Sequence, residues 1–291
     1  HRKRLQEGGS RSSYRRTRGS ADARSYHRGM PTRGATVEFR DVTKRYAGGT
    51  VALSDLSFEV PAGAICALVG PSGGGKTTAL KMVNRLIEPT SGRVLVDGRD
   101  VTSVEPVSLR RGIGYVIQQI GLFPHRTVAE NVATVPVLLG WPRERVRQRV
   151  RDLIELVGLD PERYAHRYPA QLSGGERQRI GVARALAAEP PVMLMDEPFA
   201  AVDPIVRERL QDEFLRIHER LGMTVLFVTH DIDEAIKMGD RVAVLQGGRL
   251  VQYAPPDELL ERPANDFVAR FVGADRGLKR LSLISVGECE I

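Results

Sequence analysis

Ala64-Ile65-Cys66-Ala67-Leu68-Val69-Gly70-Pro71-Ser72-Gly73-Gly74-Gly75-Lys76-Thr77-Thr78 carries the strongest local signal in this chain of 291 residues. Ala64 to Val69 is an unbroken apolar run, as expected of a strand buried on both faces. Gly70 to Thr77 fits the pattern G-x-x-x-x-G-K-[ST], and Thr77 to Leu86 reads as a helix. Strand, glycine-rich turn and helix together make a phosphate-binding loop. Glycine lets the backbone curl so that successive N–H groups converge on an anion. The helix start adds the positive end of its dipole. Gly70, Pro71, Ser72, Gly73, Gly74, Gly75, Lys76, Thr77 and Thr78 are therefore the candidate nucleotide-binding residues. Lys76 brings a positive charge to the β and γ phosphates, and the Thr77 hydroxyl is a ligand for Mg²⁺. The fold class this predicts is α/β, a phosphate-loop core of mixed sheet with flanking helices.

Other apolar runs end in polar residues suited to the same site. Val192-Met193-Leu194-Met195 leads into Asp196-Glu197 and is stopped by Pro198. In a parallel sheet, ligands gather at the carboxyl ends of strands. Asp196 is thus expected to hold Mg²⁺, and Glu197 to orient or deprotonate a water in line with the γ phosphate. Thr224 to Val228 leads into Thr229-His230-Asp231, where the His230 imidazole can hydrogen-bond the γ phosphate and the attacking water. Gln118 ends the short run Gly114-Tyr115-Val116-Ile117. Its neutral amide can touch both Mg²⁺ and water without repelling phosphate. Alone, each of these would be an ordinary loop residue; a phosphate loop in the same chain changes that.

Leu172-Ser173-Gly174-Gly175-Glu176 is a second glycine-rich helix start. Ser173 is placed to cap a helix running to about Ala188, and Gly174 and Gly175 leave its first turn bare. With this signature the chain resembles the ATP-hydrolysing subunits of ATP-binding cassette transporters. The motifs run in that family's order from Tyr46 through the phosphate loop, Gln118, Leu172 to Glu176, Asp196-Glu197, Asp203 and His230. The resemblance covers roughly Val37 to Val272. It implies ATP and Mg²⁺ as cofactors, Tyr46 stacked on adenine, and Lys76, Gln118, Glu197 and His230 as catalytic residues. It also implies that the signature closes over ATP held by a second, identical ATPase subunit. Asp203 matches the family's interface loop, which usually reads Ser-Ala-Leu-Asp. Here it is Ala200-Ala201-Val202-Asp203, without the hydroxyl at position 200.

Thr127 to Ala188 reads almost wholly as helix. Arg143 to Val157 places Val146, Val150, Leu153, Ile154 and Val157 on one face, with arginines opposite. A cassette domain is expected at 34–276, with a helical signature subdomain at about 120–188. Ile232 to Met238 reads as a helix, Arg241 to Leu245 and Arg249 to Tyr253 as a hairpin. Short helices are expected at Pro256 to Arg262 and Asp266 to Val272, followed by a C-terminal extension at 277–291.

Residues 1–29 hold nine Lys or Arg and two acids, a net +7 that equals the charge of the whole chain. The body is therefore neutral, and no nucleic-acid partner is expected. Residues 1–33 are expected to form a disordered basic tail. Met30 is the expected natural start; if the tail is translated, its arginines suit anionic lipid. Cys66 in a buried strand and Cys289 near the end argue against a disulfide framework. The sequence contains no uninterrupted apolar run of transmembrane length. The resemblance implies a peripheral location, on the cytoplasmic face of the cell membrane. The implied partners are the second ATPase subunit, integral membrane permease subunits and an extracellular solute-binding protein. Lys81 to Ile87, Gly114 to His125 and Phe271 to Val286 resemble the importer group for quaternary amines and osmoprotectants: glycine betaine, choline, carnitine or proline. The alternatives are an importer motor for another small solute, or a soluble cassette ATPase of DNA repair or translation.

Overall fold

The computed structural model of the protein describes residues 34–117, 121–200, 203–274, 277 and 279. Gln118 and Gln119, Ala201 and Val202, the basic stretch with Met30, and all of 277–291 except two residues lie outside the described residues.

The first part of the chain runs β1 (Val37–Arg45), β2 (Val51–Val60), β3 (Ile65–Val69), α1 (Lys76–Val83), β4 (Ser91–Val96), β5 (Arg99–Asp100), α2 (Pro106–Arg111) and β6 (Ile113–Val116). Helices α3 (Val128–Leu138), α4 (Arg143–Leu156), α5 (Pro161–Tyr164) and α6 (Gly174–Leu186) come next. Strands return with β7 (Val192–Asp196), α7 (Pro204–Leu221), β8 (Thr224–Val228), α8 (Ile232–Met238), β9 (Arg241–Gln246) and β10 (Arg249–Ala254). The described elements end with α9 (Pro256–Glu261) and α10 (Asp266–Val272).

The main sheet has the order β10-β9-β3-β8-β7-β6 and is parallel except for β10 at one edge. Its central strands β3, β7 and β8 are buried throughout, which explains their continuous apolar sequences. Side chains alternate between two cores. Ile65, Ala67, Met193, Met195, Val225 and Phe227 join a core shared with the helices between β6 and β7. Cys66, Leu68, Leu194, Leu226 and Val228 join a second core with α1 and a separate antiparallel sheet of order β2-β1-β4-β5.

That second sheet is not distinguished from the main one by sequence. In β1 a register shift between Phe39 and Val42 breaks the alternation, while β2 keeps it from Leu56 to Val60. The helix α4 meets expectation: Val146, Val150, Leu153 and Ile154 are buried on one face, each contributing about 1.5–3 kcal/mol of burial. The first helix is shorter than its composition suggests. It begins at Lys76 and is capped at Asn84, because Arg85 turns into the left-handed region at φ 54°. Arg110 from α2 donates to the Asn84 and Arg85 carbonyls at 3.2 and 2.7 Å, satisfying that helix end.

Candidate active site

Register alone brings three loops to one edge of the main sheet. Leu68 pairs with Val228, and Val228 with Asp196, so the residues following β3, β8 and β7 emerge side by side. Backbone hydrogen bonds extend the match, with Thr229 N–H donating to Leu68 O and Glu197 N–H to Val228 O.

The loop after β3 is held by close backbone contacts. A Cβ on Gly70 would run into the Leu245 carbonyl oxygen, and one on Gly75 would lie 2.5 Å from that of Ala52. Gly75 caps α1 at φ 93°, a conformation that disfavours any side chain. The same Ala52 contact brings the β1–β2 hairpin against the loop. Tyr46 lies at the end of β1, exposed, with the Lys44 ammonium 5.3 Å from its ring centre. Lys76 is buried, and its ammonium donates to the carbonyls of Gly70 and Pro71 at 2.8 and 2.9 Å. Burial pushes its pKa down, while the Glu197 and Asp196 carboxylates push it back up.

Thr77 and Asp196 stand 119 residues apart in sequence, yet the Thr77 hydroxyl donates to Asp196 Oδ1 at 3.0 Å. Asp196 is buried at the end of β7. Burial raises its carboxyl above the usual range, partly opposed by the Thr77 hydroxyl and the Lys81 charge. Glu197 sits in the left-handed region at φ 48°. A non-glycine residue in that conformation marks stored strain and often a functional turn. Its Oε1 lies 3.9 Å from His230 Nδ1, and the His230 side chain is largely exposed. The structure therefore gathers Lys76, Thr77, Asp196, Glu197 and His230 in one region.

One acidic hydrogen-bond network beside these residues escapes sequence reading. Behind His230, the Thr229 hydroxyl donates to Glu234 Oε2 and accepts the Asp231 N–H at 3.0 Å. Gln211 from α7 donates to the other Glu234 oxygen at 3.4 Å. Glu234 is buried, and that burial raises its pKa. An available signal was a glutamate next to Ala235-Ile236 on the apolar side of a short predicted helix.

The signature forms a second group. Ser173 caps α6, accepting Glu176 N–H at 3.3 Å, while Glu176 accepts Ser173 N–H at 2.7 Å. Leu172 is buried. Gly175 lies against α7, where an added Cβ would be 3.4 Å from Val206 Cγ1. Asp203 caps α7 by accepting Val206 N–H at 3.1 Å, so signature and interface-loop residues adjoin. Among the described residues nothing lies within 4 Å of a Cβ built on Gly174. The described residues thus supply no steric reason for glycine there. Gln118 lies outside the described residues.

Known proteins share this arrangement of sequence and fold. The family model of the ABC transporters matches residues 53–200. The osmoprotectant import ATP-binding protein OsmV of Salmonella typhimurium is 57% identical over 237 residues, covering 81% of this chain and 62% of the relative. The glycine betaine/carnitine/choline transport ATP-binding protein OpuCA of Bacillus subtilis is 53% identical over 240 residues, 82% of this chain and 63% of its own length. The chain thus spans somewhat less than two thirds of these curated relatives. Among solved structures, the dimeric ATP-binding cassette MJ0796 bound to ADP and Pi matches with a TM-score of 0.68 at 34% identity. That match covers 76% of this chain and 98% of the other. The cbiO1 subunit from Clostridium perfringens matches with a TM-score of 0.72 at 28% identity, covering 84% and 96%. On these matches the chain belongs to the ABC transporter family, as its ATPase domain.

Proposed function

We propose that the chain binds and hydrolyses ATP as the motor subunit of a membrane importer for quaternary-amine osmoprotectants such as glycine betaine, choline, carnitine or proline. The observation that carries the ATPase reading is the Thr77–Asp196 pair at 3.0 Å, set between the phosphate loop and Glu197. The solute class rests on the relatives' names.

Lys76 exchanges its loop carbonyls for the β and γ phosphates, while backbone N–H groups from Ser72 to Thr78 surround them. Tyr46 stacks on adenine. The donor set fits Mg²⁺: a buried carboxylate and an adjacent hydroxyl, both hard oxygens, at the end of the phosphate loop. Among the described residues no cluster of three or more His, Cys, Asp or Glu offers an all-protein cage, and Mg²⁺ favours few protein ligands plus phosphate and water. Thr77 and Asp196, with Gln118, would hold it, and when bound it would neutralise phosphate charge. Glu197 orients or deprotonates the attacking water, and His230 donates to the γ phosphate.

The signature, Leu172 to Glu176, acts on ATP held by a second copy of the chain, with Asp203 at the shared interface. The open space at Gly174 among the described residues supports this reading, since it leaves room for an external group. Membrane permease subunits seat on the helical segment near Gln118, and an extracellular protein delivers solute. The subunit itself works at the cytoplasmic face.

The test is the Glu197→Gln variant, assayed for ATPase activity, ATP affinity and self-association. Turnover should fall at least a hundredfold, with ATP affinity retained and an ATP-dependent dimer accumulating. Undiminished turnover removes Glu197 from its role.

A further inference from the structure

The signature's first turn is held by a side chain from outside its own helix. Both Glu176 carboxylate oxygens are engaged: Oε2 by the Ser173 N–H, and Oε1 by the Tyr164 hydroxyl at 2.6 Å. Tyr164 ends α5, a short helix started by Asp160, whose carboxylate accepts Glu162 N–H at 3.0 Å. Its ring lies 4.6 Å from the Arg167 guanidinium and 5.7 Å from that of Arg163. The phenol is thus anchored to a separate element and reaches across to the signature.

The consequence concerns the Ser173 proton. Ser173 Oγ accepts the Glu176 N–H, so its hydroxyl hydrogen points elsewhere. Two acceptors compete for it, namely the neighbouring Glu176 carboxylate and an incoming phosphate oxygen. An ionised carboxylate accepts only, and strongly. The Tyr164 hydroxyl is the foremost cause holding the Glu176 pKa down at about 2, followed by the Ser173 N–H, with the Ser173 side chain a lesser contributor. A carboxylate already served by the phenol competes less for the serine.

We infer that Tyr164 is a positioning residue for the signature serine: its hydroxyl occupies Glu176 Oε1 and thereby leaves the Ser173 hydroxyl available to a phosphate oxygen of nucleotide bound by a second copy of the chain. The inference rests on the proposed role of Ser173 in trans.

The experiment is a double-mutant cycle in the full chain, with Tyr164→Phe, Ser173→Ala and the pair. Turnover is measured together with ATP affinity at concentrations where the chain is monomeric. Tyr164→Phe should lower kcat about tenfold, the scale of one charge-assisted hydrogen bond. Monomer ATP affinity should stay within about twofold, because the phosphate loop is untouched. Introduced into Ser173→Ala, Tyr164→Phe should have no further effect on kcat. The Glu176 carboxyl, followed by NMR, should titrate at higher pH in Tyr164→Phe. Equal fold-losses in both backgrounds mean that Tyr164 does not act through Ser173, and overturn the inference. So does an unchanged kcat in Tyr164→Phe when Ser173→Ala is impaired; the role of Ser173 then stands. Full turnover in Ser173→Ala instead removes that role, and the inference with it.

Discussion

Gly75 and Gly174 each begin a helix, yet their surroundings differ. At Gly75 the backbone has φ 93° and a Cβ would lie 2.5 Å from the Ala52 carbonyl oxygen, whereas at Gly174 a Cβ meets no atom of the described residues within 4 Å. The first glycine is required by its own chain; at the second, the described residues impose no such requirement. Gly75→Ala should therefore destabilise the fold by about 1–3 kcal/mol and abolish ATP binding. Gly174→Ala should leave stability equal or slightly higher, since alanine loses less backbone entropy in a helix. Its ATP affinity as a monomer should be normal, and its turnover at least tenfold lower. Denaturant unfolding beside an ATPase assay distinguishes the two. Normal turnover in Gly174→Ala would mean that nothing approaches that surface during the reaction.

Helix α7 connects the two groups of the candidate site. Asp203 caps its start, Arg207 lies 3.5 Å from Asp231, and Gln211 donates to Glu234 behind His230. One rigid element thus reaches from the proposed subunit interface to the turn that carries the histidine. Thr229 is the joint, because its hydroxyl serves both Glu234 and the Asp231 N–H. Thr229→Val keeps the shape but removes donor and acceptor together, leaving a buried carboxylate and a backbone N–H short of partners. We expect a loss of about 1–3 kcal/mol in stability and a fall in kcat with ATP affinity unchanged. Urea unfolding and steady-state kinetics read the two effects. A kcat equal to that of the parent would show that this joint does not position His230.

The whole molecule places its chemistry at one edge of a sheet buried on both faces. Loops after three neighbouring strands converge there, and the signature lies on a helix start that the described residues leave open at Gly174. Among the described residues no helix is long and apolar enough to cross a membrane. Cells lacking this protein should lose uptake of at least one among labelled glycine betaine, choline, carnitine and proline at high osmolarity. Restoring the parent chain should recover it, and Glu197→Gln should not. Unchanged uptake of all four would overturn the osmoprotectant assignment while leaving the ATPase reading intact.

Sequence alone determined the elements whose signal is local. The phosphate loop was legible because an apolar strand, glycines and a helix follow one another without interruption. The amphipathic α4 was legible because its apolar positions recur at helical spacing. Candidate residues at strand ends were legible for the same reason, as Asp196 and His230 each follow a buried run. Tertiary structure decided what those residues touch. No periodicity links Thr77 to Asp196, Tyr164 to Glu176 or Gln211 to Glu234, since each pair is joined by packing between distant elements. The second sheet stayed hidden because pairing is not local: Leu56 to Val60 alternates as a strand does, yet nothing in it says that β2 pairs with β1 and stands apart from β3. Short-range patterns report backbone preference and burial, whereas the register of a folded sheet and the approach of its helices set which polar groups meet.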